Sequence, residues 1–234
     1  MVKEELVRRS PVRVFMNSIN GGLKSGEMGL IASPSGIGKT SVLVQIALDK
    51  LLQEKKVIHI SFTQHTDYVL AWYKDIFEEF IRRKNLENEQ DVKDDIVKNR
   101  VLMKFTQRGI SEEQILRSLR ALIKDGGFNA EALIIDGYDF ALAEKDEISA
   151  IKSFAAEMGM SIWYSCTVKD EEPYYDKLKL PPLLKNLEAL FEVIIVLEPR
   201  PDYINLTVSK DRDVFNPEHM ALKLDPRTLL ILEK

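Results

Sequence analysis

The residues best suited to chemistry run Ser33-Pro34-Ser35-Gly36-Ile37-Gly38-Lys39-Thr40. Gly36 and Gly38 lack a Cβ, so the backbone can take positive φ and come close to a ligand. The amides freed by such a turn, with those at the N-terminus of a following helix and the positive end of its dipole, point at one anionic centre. Lys39 then reaches the outer phosphates of a polyphosphate as a point charge, and the Thr40 hydroxyl can ligate Mg²⁺. Ser33, Pro34, Ser35, Ile37 and Ser41 complete the stretch that would wrap the phosphates. Asp136, which ends the apolar run Ala132-Leu133-Ile134-Ile135, is the kind of carboxylate that holds the shell of a phosphate-bound Mg²⁺. Asp139 is an optional second carboxylate. The plainer alternatives are a glycine-rich turn with a surface lysine, and an aspartate at an ordinary strand end.

These groups act together only if the right elements carry them. Met28 to Ala32 is a short apolar run of the kind that fills a strand buried on both faces. Val42, Leu43, Ile46 and Ala47 follow at helical spacing, so strand, glycine turn and helix succeed one another, which is the context a phosphate-binding loop requires. Ala132 to Ile135 predicts a second strand of that kind, whose end places Asp136 at the carboxyl edge of a parallel sheet, where ligands of open α/β sheets collect.

The remaining chain alternates strands and helices. Val57 to Phe62 reads as a buried strand containing His59, a strand histidine rather than a metal ligand, since no second His or Cys lies at metal spacing. Thr66-Asp67 caps a helix with Val69, Leu70, Trp72, Tyr73, Ile76, Phe77 and Phe80 at three-and-four spacing. That stripe reads as core, with base stacking by Trp72 or Tyr73 as the other reading. Residues 84–100 read as solvated helix and loop. Val101 to Phe105 is a short strand, and Ser111 opens an amphipathic helix that ends at Asp125-Gly126-Gly127. A helix from Asp146 to Met158 leads to a strand over Ser161 to Cys166. Leu183 to Leu190 reads as a short helix and Phe191 to Leu197 as a strand. Tyr203 to Ser209 alternates as an antiparallel strand does, and the runs 220–224 and 229–232 close the chain. Right-handed crossovers between such strands give a mainly parallel sheet with helices on both faces.

Composition sets bounds. The chain has 234 residues, 45% apolar and 30% charged, enough for one full α/β core. A net charge of −4 argues against a generic nucleic-acid binder and leaves a local basic patch open. The lone cysteine, Cys166, sits in an apolar run and reads as a buried strand residue rather than a reactive thiol. No stretch has the roughly 20 apolar residues of a membrane span, and the first residues show no apolar leader, so the expected location is the cytoplasm. Residues 1–13 read as a charged arm or short helix outside the core, and 14–234 as a single domain.

Asn20-Gly21-Gly22-Leu23-Lys24-Ser25-Gly26-Glu27, followed by the glycine loop, resembles the "GGL-x-x-GE" opening of RecA-like ATPases, and is most similar to the KaiC and replicative-helicase (DnaB) branches. The resemblance implies a three-layer α/β/α RecA-like P-loop NTPase fold, a mainly parallel sheet with antiparallel C-terminal hairpin strands. It implies ATP and Mg²⁺ as ligands, with Ser165 or Thr167 sensing the γ-phosphate. It also implies a homo-oligomer with ATP at subunit interfaces, a hexameric ring being one form open to it. Ser209-Lys210-Asp211-Arg212 is similar to the family's "K-x-R" element, which makes Lys210 and Arg212 candidates to contact ATP in trans. Solvated charges on a hairpin turn are the alternative. The loop Lys169 to Pro182 corresponds to one that faces the channel in ring-forming relatives, but its acidic balance suits a protein contact better than a phosphate track.

The chain departs from the family in two places. Ser33 stands where Gly or Ala usually begins the loop. More consequentially, the glutamate that activates water in RecA-like ATPases has no counterpart: the matching place reads Ser61-Phe62-Thr63-Gln64-His65. Gln64 could position water and His65 is a base of another type. The expected function is therefore a Mg-ATP-binding, self-associating protein acting as a weak ATPase or nucleotide-controlled switch, with a protein partner. Alternatives are a fully active motor or DNA-associated enzyme using Gln64 or His65, and a small-molecule kinase. The last lacks the arginine-rich lid such kinases carry, since no Arg cluster lies between Ala141 and Lys210.

Overall fold

The computed structural model describes residues 11–84, 89–169, 180–215 and 222–233. Its centre is β1 (Met28–Ser33), every residue of which is buried. It is followed by α2 (Lys39–Leu52), β2 (Val57–Ser61), α3 (Thr66–Lys84), α4 (Glu89–Lys98), β3 (Arg100–Lys104) and α5 (Glu112–Arg120), with α1 (Pro11–Ser18) preceding. Next come β4 (Ala132–Asp136), α6 (Lys145–Glu157), β5 (Ser161–Thr167), β6 (Val193–Pro199) and β7 (Ile204–Asp211). The short strands β8 (Val214–Phe215), β9 (Leu222–Leu224) and β10 (Ile231–Glu233) end the described chain.

The strands form one sheet in the order β10-β9-β7-β6-β1-β5-β4-β2-β3, with β8 paired to β7. From β6 to β3 every pairing is parallel, and β7 to β10 pair antiparallel. The continuous apolar runs have a simple cause. Successive side chains point to opposite faces, and both faces are covered. Ile31 and Val57 thus join the core under α1 to α4, while Leu30 and Ile58 join the core under α5 and α6. The molecule is α/β, with a mostly parallel central sheet between two apolar layers. No helix among the described residues is long and apolar enough to cross a membrane.

Gly29 shows how closely β1 is packed. It lies opposite Trp163 of β5, and a Cβ there would meet the indole ring at 2.5 Å. We expect Gly29→Ala to lower unfolding free energy by about 1–3 kcal/mol. Urea denaturation checks this; an unchanged midpoint would contradict the packing.

Several expectations are corrected. Residues 11–13 take the short-helix alternative but not outside the core: they open α1, whose Val12, Phe15 and Met16 are buried. Arg13 Nε donates to Asp49 Oδ1 at 2.8 Å, tying α1 to α2. Residues 1–10 lie outside the described residues. The segment 84–100 contains the expected helix, α4, but it is not wholly solvated, since it buries Val92 and Ile96 one turn apart. Leu183 to Leu190 is not one helix but two 3₁₀ turns, Pro182–Leu184 and Glu188–Leu190. Leu184, at the end of the first turn, and Leu187, just before the second, reach the core. The carbonyls of Glu188 and Phe191 accept from the Lys210 ammonium, and that of Glu188 also accepts from the Phe191 amide at 3.3 Å. Most of the expected channel-facing loop, 170–179, lies outside the described residues.

Candidate functional site

The carboxyl ends of β1, β2, β4 and β5 open into a cavity of about 540 Å³. That is an ordinary size for a ligand site. Each strand end contributes: the glycine loop after β1, Thr63 and Gln64 after β2, Asp136 at the end of β4, and Ser165 and Thr167 on β5. The expectations placed Gly36 to Thr40 and Asp136 at one sheet edge, and the structure brings them together.

The loop has the backbone that its glycines allow. Gly36 has φ +77° and Gly38 φ +106°, both in the left-handed region. At Gly38 a Cβ would also meet Leu224 Cδ2 at 2.6 Å. No side chain caps α2; Gly38 is its N-cap, and Lys39 and Thr40 of its first turn line the cavity. A helix start without a capping oxygen can take an anionic ligand in its place.

Lys39 is almost wholly buried and folds back over the loop. Its Nζ donates to the Ser33 carbonyl at 2.9 Å, to the Pro34 carbonyl at 2.7 Å and to Ser33 Oγ at 3.2 Å. The unusual Ser33 thus has a physical place, as an added acceptor for the lysine. Burial lowers the Lys39 pKa from 10.5 to about 8, with Asp136 among the charges opposing the shift.

Across the cavity, Thr40 Oγ1 donates to Asp136 Oδ2 at 2.8 Å and Ser165 Oγ donates to Asp136 Oδ1 at 2.6 Å. Ser165 Oγ in turn accepts from the Gly137 amide at 2.8 Å. Gly137 has φ +74°, and a Cβ there would lie 2.3 Å from Thr63 Oγ1. Of the two expected phosphate sensors, Ser165 is therefore engaged with the carboxylate, whereas Thr167 is exposed on the cavity wall. Among the described residues no group of three or more His, Cys, Asp or Glu could hold a metal. A cation here would rest on Thr40, Asp136 and oxygens from a ligand and water. That donor set suits Mg²⁺, which keeps several waters and few carboxylates.

The two water-positioning candidates separate. Gln64 lines the cavity and its carboxamide oxygen is buried without a partner. His65 does not line the cavity and pairs with Asp67 at 3.2 Å. Asp139 stands on the cavity wall, exposed, with Oδ1 accepting from the Ala141 amide at 3.0 Å. His59 is a buried strand residue, as expected: its Nδ1 lies 3.1 Å from the Tyr73 hydroxyl, and burial lowers its pKa to about 4. Cys166 is fully buried.

Lys210 and Arg212 are not solvated charges on a hairpin turn: each is bonded within the chain. Lys210 is buried on its two carbonyls. Arg212 Nη2 donates to Glu27 Oε2 at 2.9 Å and to the Gly22 carbonyl at 3.0 Å, and Nη1 donates to Asp211 Oδ1 at 2.6 Å. The "GGL-x-x-GE" and "K-x-R" stretches thus meet within one chain, where the arginine clamps the turn before β1. We expect Arg212→Ala to destabilise the fold by about 2 kcal/mol, because Glu27 loses its charged partner. Thermal unfolding checks this; an unchanged Tm would contradict the clamp.

A scan against protein-family models finds no match for this chain, and a search of curated proteins finds none either. The site therefore rests on its own geometry.

From the sequence Trp72 reads as core or as a base-stacking residue, Thr63 as part of the stretch without the glutamate, and Leu229 as part of a closing apolar run. Trp72 of α3 lines the cavity, as does Leu229 just before β10. The Leu229 carbonyl accepts from Ser41 Oγ and from Gln45 Nε2 at 2.9 Å, and Gln45 Oε1 accepts from the Ile231 amide at 2.8 Å. The last hairpin is thereby fastened to α2. Leu229 has φ +55°, which no sequence signal announced. Thr63, packed against Gly137, completes the set.

Proposed function

We propose that this chain binds a nucleoside triphosphate with Mg²⁺, as a RecA/KaiC-like P-loop protein, and works as a nucleotide-controlled switch with slow turnover at most. One observation carries the reading. A positive-φ glycine loop, a buried lysine, and the bonded Thr40–Asp136 pair converge on a single cavity at the carboxyl edge of the sheet. Gly36, Gly38 and the first amides of α2 would surround the phosphates, and Lys39 would exchange its loop carbonyls for phosphate oxygens. Thr40 would ligate Mg²⁺ directly, with Asp136 holding its water shell. The ion supplies neutralisation of phosphate charge. ATP rather than GTP follows the family resemblance, as do the RecA-like identity of the fold and assembly into an oligomer.

The limited turnover follows from the residues facing the cavity. Gln64 can orient a water but cannot take its proton. Asp136 is held by two hydroxyls. Thermal unfolding with Mg-ATP tests the proposal. Tm is expected to climb with the logarithm of nucleotide concentration above Kd, and adenosine with Mg²⁺ should not raise it. A Tm indifferent to Mg-ATP and Mg-GTP at millimolar concentration would sink the reading.

A further inference from the structure

A second cavity, of about 440 Å³, lies between α3, α4 and β3. Its walls are apolar: Leu70, Ala71 and Phe77 from α3, and Ile96 and Val97 from α4. Leu70 and Val97 are left exposed, 42% and 63%, at its mouth. Tyr73 also lines it, 2% exposed and with its hydroxyl turned to His59.

Arg100, at the start of β3, is the polar group of this cavity that stands out. Its guanidinium lies over the Tyr73 ring at 4.2 Å. Among the described residues it has no carboxylate within ion-pair range, and burial holds its pKa below the ordinary value. Arg100 is half-buried, so its guanidinium loses part of its hydration, which a ring face replaces less well than an anion does. Two further cations, Lys74 and Lys93, line the cavity against one acid, Asp67. Lys74 sits at 4.0 Å from Glu78, a loose surface pair.

We infer that this cavity is a binding site for a small amphipathic carboxylate, its acid group on Arg100 and its apolar body against Phe77, Ile96 and Val97. The planar fork of a guanidinium takes a carboxylate through two parallel hydrogen bonds, which a lysine cannot do. Apolar walls with a few charged groups, three cations and one acid here, are what small-molecule sites offer, and the volume is within their range. An inorganic anion would leave the apolar walls unused. A neutral lipid alcohol would leave Arg100 without its anion.

Calorimetric titration of the nucleotide-free chain with decanoate, and separately with decanol, tests the inference. Working without nucleotide makes the outcome independent of the first site. Decanoate is expected to bind saturably at one site, and decanol at least about tenfold more weakly. Arg100→Met, which keeps the length of the side chain, should weaken decanoate by about tenfold or more while leaving the decanol signal unchanged. Val97→Glu, at a 63% exposed position and so harmless to folding, should weaken decanoate by repulsion. Absence of saturable decanoate binding, or equal affinity in the parent and Arg100→Met, would overturn the inference. So would concentration-dependent self-association that Val97→Glu abolishes, since a second copy would then cover the cavity.

Discussion

Lys39→Ala is expected to weaken Mg-ATP binding by about a hundredfold or more. Two charge-assisted hydrogen bonds from the ammonium to phosphate oxygens contribute roughly that much. The same residue makes the affinity depend on pH. In the ligand-free chain burial sets its pKa near 8 instead of 10.5. A polyphosphate beside it restores the charged form, so binding above pH 8 takes up a proton. Affinity should fall as pH rises from 8, and calorimetry at pH 8.5 in buffers of different ionisation enthalpy should read a proton uptake that Lys39→Ala lacks. The stability sign is opposite. The unfolded chain keeps this proton up to 10.5 and the native chain releases it near 8, so stability gains from Lys39 as pH rises between those values. Below pH 8 the native state carries the full penalty, about 3 kcal/mol for such a shift. Lys39→Ala removes that penalty and also the hydrogen bonds to Ser33 and Pro34, two opposing changes, so the ligand-free variant should keep its cooperative unfolding. Loss of binding together with loss of that transition would point to misfolding instead.

Asp136→Asn should remove the contribution of magnesium while keeping the cavity. Asn has nearly the shape of Asp, and the Thr40 and Ser165 hydroxyls that donate to the carboxylate can rotate to meet an amide. The fold is therefore expected to survive. Mg²⁺ affinity in the presence of ATP should drop roughly 10–100-fold, the usual scale for losing a carboxylate that orients a metal's shell. Titrating ATP with Mg²⁺ and again with EDTA reads this directly. In the parent the two isotherms should differ; in Asp136→Asn they should nearly coincide. Retained magnesium dependence in the variant would move the metal away from Asp136.

The parts legible in the sequence were those where a short run allows one physical outcome. Ala132 to Asp136 could only be a strand buried on both faces ending in a carboxylate, and β4 is that strand. Gly36 and Gly38 before a helical apolar pattern announced the turn that the structure has. What escaped notice depends on contacts distant in sequence. Trp72 belongs to a helical stripe that reads as core, with base stacking as the other reading, and the structure places it in the cavity wall. Leu229 gains its role only because Ser41 and Gln45 bond its carbonyl from 188 and 184 residues away. Nothing near Lys210 or Arg212 shows that carbonyls and Glu27 will take up their charges. The 3₁₀ turns at 182–190 were misread because leucines three apart suit an α-helix and a 3₁₀ turn alike over so short a span. Arg100 drew no notice because a single arginine at a strand start looks solvated until α3 and α4 close over it.

Calorimetric titration of the parent and Lys39→Ala with ATP in the presence of Mg²⁺ tests the central claim most directly. The predicted result is one saturable site per chain in the parent and no measurable binding in the variant at the same concentrations. No binding in the parent, or identical isotherms for the two proteins, would contradict a nucleotide site at the glycine loop.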